Sequence, residues 1–227
     1  PDIASLAVRA TSAPSLARAI DSLNAWQYQV LEACAVAAEP FNEKQIAALT
    51  DKAALFALPG LIERGLVYSG RDGLYIPTTL REVLGNEIAG LGPQSMAKLS
   101  LKKLDEAPAP AQKVLDAMVW GPPRGTVADI KKPSAGVAWL LENDFAIVAN
   151  SHTVLMPREV AIYLRGGKVH KDLAIQAPKI SGSKRDAKSV QLAAIANVST
   201  YLRWTEEILN FWAQEPADAL RSGGLGV

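Results

Sequence analysis

Two stretches of the chain repeat the same order of apolar and polar positions, about 80 residues apart. Each stretch has an apolar face at helical spacing, then a second apolar run, then a short extended run that ends in proline. The matched segments are 30–36 with 114–120, 61–67 with 140–146, and 74–77 with 154–157. A leucine, Leu84 or Leu164, stands seven residues after each proline. The pattern therefore predicts two copies of one structural unit.

Each copy is predicted to contain three helices followed by a β-hairpin. The predicted helices span about 21–37, 43–49 and 52–64 in the first copy, and about 109–119, 126–131 and 134–143 in the second. The predicted strands are 65–69 with 74–76, joined by a turn rich in Gly and Asp, and 145–149 with 153–156. This order is typical of a winged helix. A plain helical repeat with an incidental hairpin is the alternative.

The whole chain is predicted to be mainly α with short β-hairpins: tandem winged-helix-like repeats plus a long C-terminal helix. We expect an N-terminal helical segment at 1–20, with helices over 3–9 and from about residue 15. The other expected segments are repeats at 21–90 and 104–166, a basic linker at 167–185, and a long helix within 186–227. The absent initial Met and the final Gly-rich turn suggest a piece of a longer protein with a further domain beyond residue 227.

Basic residues are concentrated around the predicted linker. The net charge of the whole chain is only +1, so any contact with a polyanion must be local. The expected phosphate contacts are Arg71 at the tip of the first hairpin and the basic residues between positions 165 and 188. The latter are Arg165, Lys168, Lys171, Lys179, Lys184, Arg185 and Lys188. Such a cluster favours weak binding of DNA without sequence specificity. A solvated linker kept soluble by its charge is the alternative.

Two further patterns bear on partners. The third predicted helix of each copy is poor in the Arg, Lys, Asn and Gln side chains that read base edges, so neither copy is expected to recognise a DNA sequence. The long helix carries an aromatic stripe at a spacing of three to four residues: Tyr201, Trp204, Ile208, Phe211 and Trp212. The stripe is interpreted either as intramolecular packing or as a docking surface for another domain or protein.

Catalytic and ligand-binding motifs are sparse. Cys34 lies in an apolar helical run and is interpreted as a small buried side chain. His152, at a hairpin tip, and His170, in the linker, are expected to be solvated. We therefore expect no catalytic residue, metal, cofactor or small-molecule substrate. No membrane span or signal peptide is recognised, which makes the cytoplasm the default location.

Several strings resemble a bacterial family of helicase-associated proteins with an XPB/Ssl2-helicase-like N-terminal domain, found mainly in high-GC Gram-positive bacteria. The resemblance rests on residues 2–10, 120–126, 155–167 and 220–227, and so covers nearly the whole chain. It implies a DNA-transaction setting and a longer parent protein. It supplies no ATPase, because the sequence contains no motor motif.

These observations lead to one expected function and one alternative. The expected function is a non-catalytic, DNA-associated accessory module of a helicase-like protein. The alternative is a protein-interaction scaffold that uses the repeats and the aromatic stripe, with the remaining domains of the parent protein or another protein as partner. The third helices, poor in basic residues, favour the alternative.

Overall fold

The structure is a computed structural model that describes residues 2–175, 182 and 184–215. The chain divides into two compact units, residues 1–175 and residues 176–227. Helices dominate both units, and the strands form two small sheets. The predicted fold class, mainly α with short hairpins and a long C-terminal helix, is confirmed.

Two short helices precede the first copy. Helix α1 spans Ile3–Ala10 and helix α2 spans Ala13–Asp21, close to the predicted bounds. The side chain of Asp2 accepts a hydrogen bond from the backbone N–H of Ser5 (2.7 Å), which caps α1. Leu16 of α2 is buried in the apolar core of the first copy. The N-terminal segment is therefore part of the first unit.

Copy one, residues 21–90, contains the predicted helices and hairpin. Its elements are α3 Ala25–Val36, α4 Glu43–Leu49, a 3-10 helix Lys52–Ala57, α5 Leu58–Glu63, β1 Tyr68–Ser69, β2 Leu74–Tyr75 and α6 Thr78–Leu84. Capping boxes begin α3 (Asn24 with Gln27) and α4 (Asn42 with Gln45). Phe41 forms an isolated antiparallel bridge with Leu74, which ties the start of α4 to the hairpin.

Copy two, residues 104–166, follows the same order, but it has no counterpart of α4 or of the 3-10 helix Lys52–Ala57 and has an additional strand. Its elements are α7 Ala109–Val119, β3 Arg124–Thr126, α8 Ala135–Glu142, β4 Ile147–Asn150, β5 Thr153–Leu155 and α9 Arg158–Leu164, preceded by a 3-10 helix Leu101–Glu106. The three strands form an antiparallel sheet in the order β3-β5-β4. Strand β3 of copy two therefore takes the place of the single bridge that Phe41 forms with Leu74 in copy one.

The predicted helix at 126–131 is wrong. The backbone N–H groups of Val127 and Ile130 donate to the carbonyls of His152 and Ser151, at 2.9 and 3.0 Å. This segment therefore lies alongside the turn between β4 and β5 and is not helical. Asp129 also turns the chain, because its carboxylate accepts from the N–H of Lys131 (2.9 Å). Pro133 then disfavours helical backbone at the residue before it.

The two copies share an apolar boundary within the first unit. Ala33 of α3 belongs to the core of copy two, and Val36 and Leu49 pack against that core. Helices α6 and α9, which were not predicted as separate elements, follow Pro77 and Pro157 and bury Leu80 and Val160. The repeated proline therefore marks the start of the helix that follows the hairpin in each copy.

The second unit contains helix α10, Ala187–Gln214, 28 residues long. The carboxylate of Asp186 accepts from the N–H of Ser189 (2.9 Å) and caps its first turn. The predicted long helix over about 186–213 is confirmed.

Candidate interaction surfaces

Arg165 is a structural residue, and its expected contact with phosphate is wrong. Its guanidinium donates to four backbone carbonyls: Val119 (2.6 Å), Ala89 (3.1 Å), Val169 (2.8 Å) and Gly90 (3.1 Å). It also lies over the ring of Trp120, 4.7 Å from the centroid. The residue is only 7% exposed. Burial lowers the pKa of Arg165 from its usual value because it removes water from the charged group.

The segment after Arg165 packs on copy one, so the predicted linker begins too early. We call residues 166–174 the strap. Gly166 and Gly167 both have positive φ and end α9. Their backbone N–H groups donate to the carbonyls of Tyr163 and Ile162, respectively. Val169 is buried and donates its N–H to the carbonyl of Leu49 (2.8 Å).

Side chains of copy one and the strap strengthen this contact. Lys168 donates its ammonium to the carbonyls of Ala48 (3.1 Å) and Thr50, and its expected contact with phosphate stays a prediction. The amide of Gln29 bridges the strap, donating to the carbonyl of Asp172 (3.1 Å) and accepting from the N–H of Ala174 (2.7 Å). The strap therefore fastens copy two to copy one.

His170 lies against a buried carboxylate and is not solvated as predicted. Its Nε2 is 3.1 Å from Oε2 of Glu32, although the geometry is not that of a hydrogen bond. The other oxygen of Glu32 accepts from the backbone N–H of Ala89 (2.9 Å). Nearby, the pKa of Tyr28 is raised, first by its burial and then by the negative charge of Glu32. Glu32 and His170 therefore lie where α3 of copy one meets the strap and the segment around Ala89.

The remaining basic candidates fall in both units. Arg71, in the turn between β1 and β2, and Lys171, in the strap, are exposed. Lys184, Arg185 and Lys188 are exposed at the beginning of α10. Within the described ranges, no side-chain hydrogen bond or ion pair involves any of these five. Lys179 lies outside the described residues.

The aromatic stripe of α10 is part of a larger apolar face. Tyr201, Trp204, Phe211 and Trp212 are 64%, 50%, 58% and 40% exposed, and the rings of Tyr201 and Trp204 meet edge to face at 5.7 Å. Exposed aliphatic side chains extend the face: Val190, Ile195, Val198, Leu202, Ile208 and Leu209. At 3.6 residues per turn these positions cover an arc of roughly 200°, and the exposed Leu192 lies outside it. Sequence reasoning missed the aliphatic part, although its three-to-four spacing was the available signal.

Charge is distributed unevenly along α10. Lys184, Arg185 and Lys188 lie at or before its first turn, whereas Glu206, Glu207 and Glu215 lie near its end. The one described ion pair of the helix joins Arg203 to Glu207 at 3.7 Å. A helix favours negative charge at its N-terminus and positive charge at its C-terminus. Lys188 in the first turn and the C-cap Glu215 therefore oppose the helix dipole, whereas the N-cap Asp186 favours it.

A cleft of about 450 Å³ lies at the boundary of the two copies. Its charged lining includes Arg81, Glu87 and Arg158. Arg81 pairs with Glu39 at 3.2 Å, and Glu87 pairs with Arg124. Its lining contains no Ser, Cys or His, so it lacks the usual nucleophiles.

Cys34 is buried as predicted. It is fully enclosed, and burial raises the pKa of the thiol to about 12. Among residues 2–175, 182 and 184–215, no group of three or more His, Cys, Asp and Glu side chains could hold a metal ion. The same residues contain no helix that is both long and apolar enough to cross a membrane.

Comparisons with protein-family models, with curated proteins and with solved structures found no match for this chain. The helicase-associated resemblance therefore stays a prediction. Functional statements about the chain depend on its own residues and their geometry.

Proposed function

We propose that the chain is a non-catalytic protein-interaction module whose docking element is the apolar face of α10. The observation that supports this proposal is the exposure of that face, on which four aromatic side chains are 40–64% exposed. Exposed apolar surface of this extent is typical of a site that another protein covers. Aromatic residues are also enriched where interfaces have their strongest contacts.

The shape of the face indicates the kind of surface that covers it. A helix that packs on a flat surface buries a stripe somewhat more than 100° wide. The face of α10 is about twice as wide, so its partner must offer an apolar groove or a second contact on the other side of the arc. Basic side chains near one end and acidic ones near the other give the groove a preferred direction.

Site-specific photo-crosslinking in living cells tests this proposal. A photoreactive phenylalanine analogue is placed at Trp204 or Trp212, within the apolar face, and at Ser199 or Asn210, on the polar side of α10. We expect one defined protein to be crosslinked from the two face positions only. Equal crosslinking from all four positions, or from none, would contradict the proposal.

DNA binding is the second candidate function. Lys184, Arg185 and Lys188 are exposed within five residues of one another and are free of described ion pairs, which suits contact with phosphates. The burial of Arg165 removes one of the eight expected contacts, and Lys168 already donates to two backbone carbonyls, which weakens this candidate relative to protein docking.

Fluorescence anisotropy with labelled single- and double-stranded DNA tests the second candidate. Binding whose logarithmic affinity falls linearly with the logarithm of salt concentration is expected if these side chains contact phosphates. Changing Lys184, Arg185 and Lys188 to Glu should then abolish binding, whereas Arg165→Lys should leave the salt dependence unchanged. Absence of binding at low salt would exclude direct DNA contact by this chain.

A further inference from the structure

The charges of α10 are the starting point for identifying its partner. The charged residues are Lys184, Arg185 and Lys188 at the beginning of α10, and Glu206, Glu207 and Glu215 in its last third. The helix dipole disfavours Lys188 in the first turn and Glu215 at the C-cap, whereas Glu206 and Glu207 lie about two turns before the end, where the dipole has little effect. A partner helix stabilises this arrangement only if it brings acidic groups to the beginning of α10 and basic groups to its end.

A second α10 running in the opposite direction has that distribution of charge. In an antiparallel pair the beginning of each helix lies beside the end of the other, so Lys188 of one copy approaches the acidic end of the second. A parallel pair places like charges together at both ends, which is unfavourable. The direction of pairing therefore follows from the charges.

The exposed area allows a small interface. An aromatic side chain can bury about 150–250 Å². At the observed exposures of 40–64%, the four aromatic side chains together present roughly 400 Å², and the exposed aliphatic side chains Val190, Ile195, Val198, Leu202, Ile208 and Leu209 add to it. One partner helix covers about half of the roughly 200° arc. The pair therefore falls below the standard interface of about 800 Å² on each partner, and we expect it to be of moderate affinity.

We infer that two copies of this chain associate through antiparallel pairing of their α10 helices. The inference rests on the proposed docking function of α10 and names a second copy as its partner. Each helix, about 42 Å long at 1.5 Å per residue, would lie along the other over most of its length.

Sedimentation velocity of the whole chain tests the inference by charge exchange. The wild-type chain of 24.2 kDa is expected to sediment with twice that mass at micromolar concentration. Changing Glu206 and Glu215 to Lys, or Lys184 and Lys188 to Glu, gives both ends of α10 one sign of charge. Either change should weaken association by about tenfold or more.

The chain that carries all four changes decides the direction of pairing. It has acidic groups at the beginning of α10 and basic groups at the end, so an antiparallel pair is complementary again and dimerisation should return to the wild-type affinity. Failure of the fourfold variant to recover would overturn the antiparallel arrangement. Gln214→Lys is the matched control, because it adds positive charge at the same end on the side of α10 away from the apolar face, and it should dimerise like the wild type.

Circular dichroism of each variant establishes that α10 is still helical. A wild-type chain that stays monomeric at about 100 µM would overturn the inference. If the Trp204 and Trp212 probes then crosslink a different protein, the proposed docking function stands and only self-association fails. If those probes also crosslink nothing, both fail.

Discussion

Arg165 is the residue whose chemistry departs most from its sequence context. In sequence it heads a run of basic and glycine residues, yet its guanidinium is enclosed and bound to four carbonyls from three segments of the chain. A buried charge is tolerated when its hydrogen bonds are satisfied in this way. Arg165 therefore joins α7, the segment around residue 89 and the strap.

Replacing Arg165 by Ala is expected to lower the free energy of unfolding by about 3 kcal/mol, because several buried carbonyl groups lose their donor. Arg165→Lys should recover only part of this loss, since an ammonium cannot reproduce the planar arrangement of donors. Urea unfolding measures both variants. Lys171→Ala, at an exposed strap residue, is the control and should change stability by less than about 0.5 kcal/mol.

Cys34 is expected to be inert in the folded protein. Its thiol must ionise to react, and burial raises its pKa to about 12, so the reactive thiolate is scarce at pH 8. A thiol-specific reagent should label the chain only after urea unfolding. Stoichiometric labelling of the native protein within minutes would contradict the burial of this side chain.

At the scale of elements, the close approach of α7 and α8 depends on one glycine. A Cβ atom added at Gly136 would overlap the carbonyl of Pro110 and approach the N of Ala111 to 3.0 Å. The two helices would have to separate, which exposes core side chains. Gly60 is also helical, but a Cβ there meets only flexible side chains, with Nε2 of Gln27 at 3.3 Å.

Gly136→Ala is therefore expected to destabilise the protein by about 2 kcal/mol through overpacking. Gly60→Ala, the matched control, should be neutral or stabilising by up to about 1 kcal/mol, because alanine restricts the unfolded chain and favours helix. Thermal or urea unfolding compares the pair. Equal effects of the two substitutions would contradict the described α7–α8 packing.

At the scale of the first unit, the strap couples the two copies. Val169 comes after copy two in sequence, yet its N–H bonds to Leu49 of copy one, and its side chain lies in the core that copy two shares with Ala33. Loss of this contact should affect both copies, because neither buries the boundary alone.

Val169→Asp is expected to lower the stability of both copies together by about 3 kcal/mol, since it buries an unpaired carboxylate. Hydrogen exchange can follow the hydrogen-bonded backbone amides of Ile46 in copy one and Ala161 in copy two. Val148→Asp, at a position 49% exposed on β4, should have little effect. Loss of protection in only one copy would show that the strap does not couple them.

Much of the fold was predictable because it is encoded locally. The helices α7 and α10 have clear periodicity, and the Gly and Asp residues of the first turn indicate a hairpin. Residues 126–131 were mispredicted because a contact with the distant β5 strand and its turn competes with local helix formation. For the candidate surfaces, spacing alone identified the aromatic stripe of α10 but gave no measure of its exposure.

The sequence by itself determined the two copies, the order of most elements and the amphipathic character of α10, since periodicity and turn residues act over a few neighbouring positions. Tertiary structure decided which basic residues remain accessible. Arg165 and Lys168 have the same local appearance as Lys171, but, apart from the carbonyl of Val169, the carbonyls that bind them come from residues between 46 and 120 positions away. Only folding brings those acceptors together, because a carbonyl's availability depends on which backbone hydrogen bonds the rest of the chain has formed.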